Sequence, residues 1–375
     1  MKFFKTLNFS DVHLGCPRLD PELTVHNLLQ WIVPLIQHHK PDLIGLQGDL
    51  FDTSISYSDR WSPAIVEFIG TLLNTAREYN VAVRVLRGTF SHDRTQSNLF
   101  PILNKTLGIN VDLRYVDCIS VEHIPKWDVK IGYIPDNVPF SSSEEVITHL
   151  KEKMRERGWE SLDYLYMHGS FDHTLVGPAQ KHCRVLFREE QFDFVKRFVV
   201  TGHIHMHSIK GRILNNGSLG RLDFRDTDEP KGCILIEDDG TNANISFLEN
   251  PTTCVFKRWD LSSIDLENTS PLTPYLKMLE DLPKNVECHI KVFHKLPEVA
   301  NQIIQHFREQ FPSIKFFRDR VAPKEEDVSF PEEEETFIPL NHPDVLVKAI
   351  VEQAQKNQQE ITEEKVRQIL EMVEK

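Results

Sequence analysis

No apolar run in this 375-residue sequence approaches the roughly 18 consecutive residues that a membrane-spanning helix needs. The opening segment MKFFKTLNFSD also lacks the long apolar core and small-residue cleavage site of a secretory leader, so the expected location is the cytoplasm, with no membrane partner. The six cysteines, Cys16, Cys118, Cys183, Cys233, Cys254 and Cys288, include no Cys-x-x-Cys pair. That argues against a zinc ribbon or a disulfide scaffold and predicts reduced thiols. A phosphate-binding Gly-x4-Gly-Lys-Ser/Thr loop is missing, so any ATP has to be bound by another chain. No internal repeat recurs at a fixed period. Positive charge is in deficit, 43 Lys and Arg against 56 Asp and Glu, and a net charge of -13 argues at first against a polyanionic partner. The distribution changes that reading. Residues 323–375 contain 14 acidic and 6 basic residues, so -8 of the -13 sits in the tail, and the nearly balanced body has room for local basic surfaces.

What remains is 40% hydrophobic and 26% charged, an ordinary globular composition too long for one compact core. The first 250 residues alternate apolar runs with helical spacing. FFKTLNF precedes a helical stretch from Glu22 to His39, with Leu28, Leu29, Ile32, Leu35 and Ile36 on one face. DLIGLQ, a second helical stretch from Ala64 to Tyr79, and VAVRVLR follow, an order that predicts a parallel-type sheet covered by helices. DYLYM, RFVVT, GCILIED and NISFLE come with fewer helices between them and predict a second, more antiparallel sheet. From Val255 the pattern changes to a compact βαβαβ-like unit, VFKRWDL, PYLKMLEDL, VECHIKVF, VANQIIQHFREQF and IKFFRDR. The expected division is 1–254 for the main domain, 255–322 for a small α/β domain, 323–336 for an acidic, proline-punctuated linker and 337–375 for a helical segment. In that segment Val345, Leu346, Ala349 and Ile350 form one apolar stripe and Val366, Ile369, Leu370 and Val373 another. Isolated helices this short are marginal in water, so the stripes need something to bury them, either another chain or their own.

Five of the apolar runs end directly in residues able to bind a metal. FFKTLNF leads to Asp11 and His13, DLIGLQ to Asp49 and Asp52, VAVRVLR to His92, DYLYM to His168, and RFVVT to His203 and His205. In an open α/β sheet, ligands gather at the carboxyl ends of strands. Mixed imidazoles and carboxylates suit Mn, Fe or Zn better than calcium, which takes oxygen ligands only. Taken singly, an Asp-x-His is no more than a solvated turn; it is the ordered set that points to a metal crevice. Asp52 either orients His13 or His92 or caps the next helix. His173 and His207 fall off the motif and read as surface residues. Arg94, Lys210, Arg212, Arg221 and Arg225 flank these loops and are candidate phosphate contacts, each with a solvated-loop charge as the plain alternative.

The series DVH, GDLFD, HD, HG and GHIH resembles the calcineurin-like metallophosphoesterase superfamily, over roughly residues 8 to 220. GDLFDT, the NNGSLGRL turn after GHIH, the small domain and the tethered helices resemble more closely the SbcD-type nuclease subunits of DNA double-strand-break repair, in the compact, acidic-tailed versions carried by bacteriophages. The resemblance implies a four-layer αββα sandwich with a small α/β capping domain and C-terminal helices. It also implies two divalent ions, Mn first and Mg as the alternative, with Asp11, His13, Asp49 and His205 on one ion and Asp49, His168 and His203 on the other. His92 would neutralise charge or donate a proton to the leaving oxygen, with Asp52 behind it. The family pattern is Gly-Asn-His-Asp or Gly-Asn-His-Glu, its asparagine ligating the second ion. Here the stretch is RGTFSHD and Ser91 stands where that asparagine is expected, which predicts a weaker second site. The implied partners are DNA, an SbcC-type coiled-coil ATPase docked on the tail stripes, and a second copy in a homodimer, in host cytoplasm if phage-encoded. The implied activity is exonucleolytic on duplex and endonucleolytic on single-stranded DNA. The competing readings are a DNA-end-binding scaffold with weak or partner-gated catalysis, and a phosphomonoesterase or small-substrate phosphodiesterase.

Overall fold

The computed structural model describes residues 3–56, 58–136, 139–174, 185–226, 229–264, 270–321 and 362. The linker 323–336 and the tail residues Val345, Leu346, Ile350, Val366, Ile369, Leu370 and Val373 lie outside them.

The strands are β1 Phe4–Phe9, β2 Leu43–Gln47, β3 Ala82–Leu86, β4 Leu113–Val116, β5 Ser120–Ile124, β6 Val129–Ile134, β7 Leu162–His168, β8 Ser170–Phe171, β9 Leu186–Phe187, β10 Val195–Gly202, β11 Ser208–Lys210, β12 Ile213–Asn215, β13 Gly232–Asp238, β14 Ala243–Glu249, β15 Val255–Asp260, β16 Cys288–Phe293 and β17 Lys315–Arg318. The α-helices are α1 Pro21–His39, α2 Ser62–Glu78, α3 Leu99–Thr106, α4 Ser143–Arg155, α5 Thr273–Glu280 and α6 Pro297–Gln310. Helix α1 starts where the sequence signals it: the Asp20 carboxylate accepts from Leu23 N–H, and Pro21 sits in the first turn, where its missing N–H costs nothing.

Two six-stranded sheets dominate, ordered β14-β13-β1-β2-β3-β4 and β11-β12-β10-β7-β6-β5. The expected parallel arrangement of β1, β2 and β3 is present. The expectation of a more antiparallel second sheet is corrected. There β7 pairs parallel with both β6 and β10, and β10 is parallel to β12. GCILIED and NISFLE do not join that sheet. As β13 and β14 they extend the first, where β13 runs antiparallel along the open edge of β1. Because β7 and β10 are parallel, His168 and the His203–His205 stretch emerge at the same end of the sheet.

Side-chain alternation divides each central strand between two environments. Leu7, Phe9, Ile44, Leu46, Val83 and Val85 pack into one cluster with Leu28 and Ile32 of α1 and Phe68 and Leu72 of α2. Their neighbours Phe4, Leu43, Ala82 and Leu86 share another with Tyr133, Tyr164, Tyr166 and Val200 of the second sheet. Leu165, Met167 and Val199, on the opposite face of that sheet, pack with Val146, Leu150 and Met154 of α4. Burial on both faces explains why the strands read as near-continuous apolar runs. Buried polar pairs also cross between the sheets: Arg84 forks onto Glu122 at 2.8 and 2.9 Å, and the Tyr164 hydroxyl donates to Asp238 at 2.6 Å.

Strands β15, β16 and β17 form a separate parallel sheet with its own cluster, in which Ile290 and Val292 meet Ile303 and Phe307 of α6. It is tied to the rest by Glu287, which accepts from Asp20 N–H at 2.9 Å, and by the packing of Phe224 against Phe256 and Phe317. The five described cysteines, Cys183 lying outside that set, are free thiols, and no helix among the described residues is long and apolar enough to cross a membrane.

Candidate metal centre

The carboxyl ends of β1, β2 and β3 in one sheet and of β7 and β10 in the other converge on one place. The loops there are paired to each other: Asp11 N–H donates to the Gly48 carbonyl, His13 N–H to Asp49 and Leu14 N–H to Leu50, all at 2.9 to 3.1 Å. Asp11, His13, Asp49 and His203 all have positive φ, at 51, 51, 50 and 100 degrees. Side chains other than glycine pay for that conformation, and it persists only where surrounding bonds over-determine it. Two glycines allow the close approach. A Cβ on Gly48, itself at φ +83, would strike His168 Nδ1 and the Gly88 backbone, and one on Gly88 would strike Asp49.

Three groups of ligand atoms result, each with its atoms within 4.8 Å of one another: Asp11, His13 and His205; Asp49, His168 and His203; and His13, Asp52 and His92. Taken by one oxygen, Asp49 falls in the group with His168 and His203. The first two groups each draw residues from both sheets.

Second contacts fix which ring nitrogen faces inward. His168 Nδ1 lies 2.6 Å from the Gln47 carbonyl and so carries the proton, leaving Nε2 to face Asp49 Oδ2 at 3.2 Å. His13 Nδ1 meets Asp52 Oδ1 at 3.1 Å, and its Nε2 lies 3.2 Å from His205 Nε2. Two imidazole nitrogens facing at that distance need a proton or a cation between them. His92 Nδ1 donates to the Asp52 backbone carbonyl at 2.6 Å, which turns its Nε2 away from that loop. Asp52 therefore orients both histidines, one through its carboxylate and one through its main chain. It does not cap a helix, since α2 begins only at Ser62. His203 N–H donates to both Asp11 oxygens at 3.1 Å.

The electrostatics are those of a site built for positive charge. Burial pushes Asp11 up, with neighbouring Asp49 adding to the shift and His168 opposing it. Burial works against the charged form of Asp49 too, but His168, His92 and His13 hold its carboxyl well below the ordinary range. Against burial, the Asp52 hydrogen bond and the nearby carboxylates raise His13 to about 9; Asp49 and Asp11 likewise raise His168 to about 10. His205 goes the other way, held well below 6.5 by burial and by the charges of His13 and Lys231. Buried carboxylates this close are costly unless compensated, and the donor set of imidazole nitrogens and carboxylate oxygens fits borderline divalent ions.

Ser91 is corrected: its side chain is exposed. The hydroxyl at the second group belongs to Thr89, whose Oγ1 lies 3.1 Å from Asp49 Oδ2, 3.3 Å from His168 Nε2 and 3.4 Å from His203 Nδ1. The signal for it was Gly88, after which the chain enters the site; counting back from the His-Asp pair lands two residues late. Two more residues escaped the sequence reading. Asp93, fully buried, accepts from the N–H groups of Leu50, Phe51 and Gly88 and holds those loops together. Lys231, also buried, donates to the His205 carbonyl at 3.1 Å and pairs with Asp226 at 2.9 Å.

His207 is half-buried, stacked on Phe247 at 4.0 Å, and His173 is half-buried beside Phe171. Of the candidate phosphate contacts, Arg225 is forked onto Asp223, Arg221 donates to the Glu229 carbonyl and Arg212 to the Val195 carbonyl. Arg94 and Lys210 are exposed.

No protein-family model matches the chain, and no curated protein does. Among solved structures, glutamine-dependent NAD+ synthetase from Acinetobacter baumannii in complex with ADP is similar at 9% identity, TM-score 0.27, over 98% of this chain and 70% of that one. A second crystal structure is similar at 10% identity, TM-score 0.38, over 65% of this chain and 99% of the other. Likeness at that level carries no argument about fold or function.

Proposed function

We propose that this chain is a two-metal phosphodiesterase acting on DNA, the nuclease subunit of an SbcC-SbcD-type recombination and repair complex. The observation that carries the metal-enzyme reading is the pair of ligand groups, each drawn from both sheets, with the His92 ring turned by Asp52 beside them. The α/β architecture, with helices packed on two mixed sheets, supports reading the fold as an αββα sandwich with a small capping unit. Asp11, His13 and His205 would hold one ion and Asp49, His168 and His203 the other, Mn first and Mg as the alternative. When bound, such ions lower the pKa of water and neutralise charge on a phosphate under attack. Asp52 and the Gln47 carbonyl keep His13 and His168 presenting Nε2, and His92 supplies a proton to the leaving oxygen. DNA as substrate, the coiled-coil ATPase partner, the homodimer and the cytoplasmic setting rest on the sequence resemblance.

A second reading, a phosphomonoesterase or small-substrate phosphodiesterase, draws support from the arginines. Arg212, Arg221 and Arg225 each spend donors on a carbonyl or carboxylate of the fold, which leaves fewer for a phosphate track although Arg212 and Arg225 remain exposed.

The test is a Mn titration on end-labelled linear duplex DNA, beside Mg and chelator, with His92→Ala as control. Mn-dependent shortening that the variant loses by a factor on the order of 100 or more supports the nuclease. Hydrolysis of a small aryl phosphate with no DNA cleavage under any condition would replace it with the second reading.

A further inference from the structure

The placement of Thr89 says more than that Ser91 is elsewhere. Its Oγ1 is 3.1, 3.3 and 3.4 Å from ligand atoms of Asp49, His168 and His203, while His168 Nε2 and Asp49 Oδ2 are themselves 3.2 Å apart. Donor atoms bonded to a common ion at about 2.1 Å lie roughly 3.0 Å apart on an octahedral edge and roughly 3.4 Å apart on a tetrahedral one. These four of the six separations fall within that interval, so the hydroxyl stands where a fourth donor beside the candidate ligands would fit.

Its backbone cannot drift from there. Thr89 N–H donates to Asp49 Oδ1 at 2.5 Å, and the Thr89 carbonyl accepts from Asp93 N–H at 2.8 Å. Gly88 provides the clearance, and its own N–H is held by the Asp93 carboxylate at 2.7 Å. A threonine hydroxyl is a neutral, hard oxygen donor of the kind that ligates Mg in phosphate-binding loops.

We propose that Thr89 Oγ1 is a direct ligand of the ion held by Asp49, His168 and His203, making that site a two-imidazole, one-carboxylate, one-hydroxyl centre for a divalent ion such as Mn. This inference rests on the two-metal reading above. A hydroxyl that merely oriented Asp49 through its hydrogen bond would also weaken the ion if removed, so the test has to see the bond itself.

Mn2+ bound per chain is counted from the free-ion EPR signal for the full-length wild type, Thr89→Val, Thr89→Ala and Thr89→Ser. In parallel, Thr89→Cys is titrated with Cd2+ and its ultraviolet spectrum read against wild type treated identically, which subtracts the native thiols. Expected are two Mn2+ in the wild type and in the serine variant. Valine and alanine should weaken the second ion on the order of 10–100-fold, the loss seen when even an indirect supporting group of a metal site is removed. The cysteine variant should add a thiolate-to-cadmium charge-transfer band, because sulfur draws a soft ion to its vertex. Valine and alanine variants that keep the second Mn2+ within about twofold of wild type would overturn the assignment. So would loss of the ion in both with no new cadmium band in the cysteine variant, which would reduce Thr89 to a support for Asp49. A wild type that takes up no Mn2+ would instead overturn the two-metal reading itself.

Discussion

Asp52 acts on two imidazoles with different atoms, and this separates what its replacement can change. The backbone carbonyl that holds His92 survives any substitution, whereas the carboxylate on His13 Nδ1 does not. Asp52→Asn should therefore weaken the ion held by Asp11, His13 and His205 on the order of 10–100-fold, while cleavage at saturating Mn falls far less than in His92→Ala. Mn titrations of activity measure both quantities; equal losses at saturation would place Asp52 in the chemistry. Acid-base balance gives a second prediction. With His13 raised to about 9 and His168 to about 10, both rings are largely protonated at neutral pH before an ion arrives. Ion binding needs their neutral forms, so Mn affinity should climb as pH rises from about 6.5 towards 9, with protons released. Calorimetry in buffers of different ionisation enthalpy detects that release, and a pH-independent affinity would contradict it. The candidate ligands were legible in the sequence because each lies within a few residues of the end of an apolar run. Thr89 was not, since a threonine is an unremarkable residue until the fold brings three ligand atoms around it.

The turn from Gly88 to Asp93 shows how an element, and not a single side chain, makes the site. Thr89 opens it, His92 projects from it, and the Asp93 carboxylate closes it onto Gly88 N–H and onto the loop after β2 through Leu50 and Phe51. Gly88 has no room for a side chain because Asp49 occupies that space. Gly88→Ala should push the two loops apart, costing about 1–3 kcal/mol of stability, the usual range for overpacking. Urea unfolding would show that loss, and Mn binding at the Asp49 group should fall with it. An alanine variant with unchanged Mn binding would mean that the loops can separate without disturbing the ligands. Strand existence was readable from periodicity, but partner choice was not. GCILIED carries the same apolar signal whichever sheet it joins, and only the open edge of β1 decides that it becomes β13. The bonding of the arginines was not legible for a related reason: a charge next to these loops looks the same in sequence whether it has no partner in the chain or, like Arg225, pairs with a carboxylate two residues away while staying exposed.

At the scale of the whole molecule, the two sheets meet through an apolar cluster and a few buried polar pairs, and the ligand groups sit at one end of that junction. An ion on Asp11, His13 and His205 would join the loop after β1 to the loop after β10, and an ion on Asp49, His168 and His203 would join β2 to β7 and β10. Ions held this way bind the folded state alone, so they add to its stability by mass action, about 2.7 kcal/mol for one site at a hundredfold excess over its dissociation constant. For a chain of 375 residues, with about 2.1 cal/mol/K of unfolding entropy per residue, that should raise the melting temperature by roughly 3–4 °C per occupied site on adding Mn, and chelator should reverse it. Asp49→Ala removes one of the two links, so its melting temperature should rise with Mn by a smaller step, the remainder belonging to the first group. Measured by scanning fluorimetry, a Mn-induced rise in the wild type that is cut but not abolished in the variant would show two ions acting across the junction. A rise equally large in the variant would leave Asp49 outside the metal site, and an unchanged wild-type melting temperature at saturating Mn would mean that no ion spans the sheets.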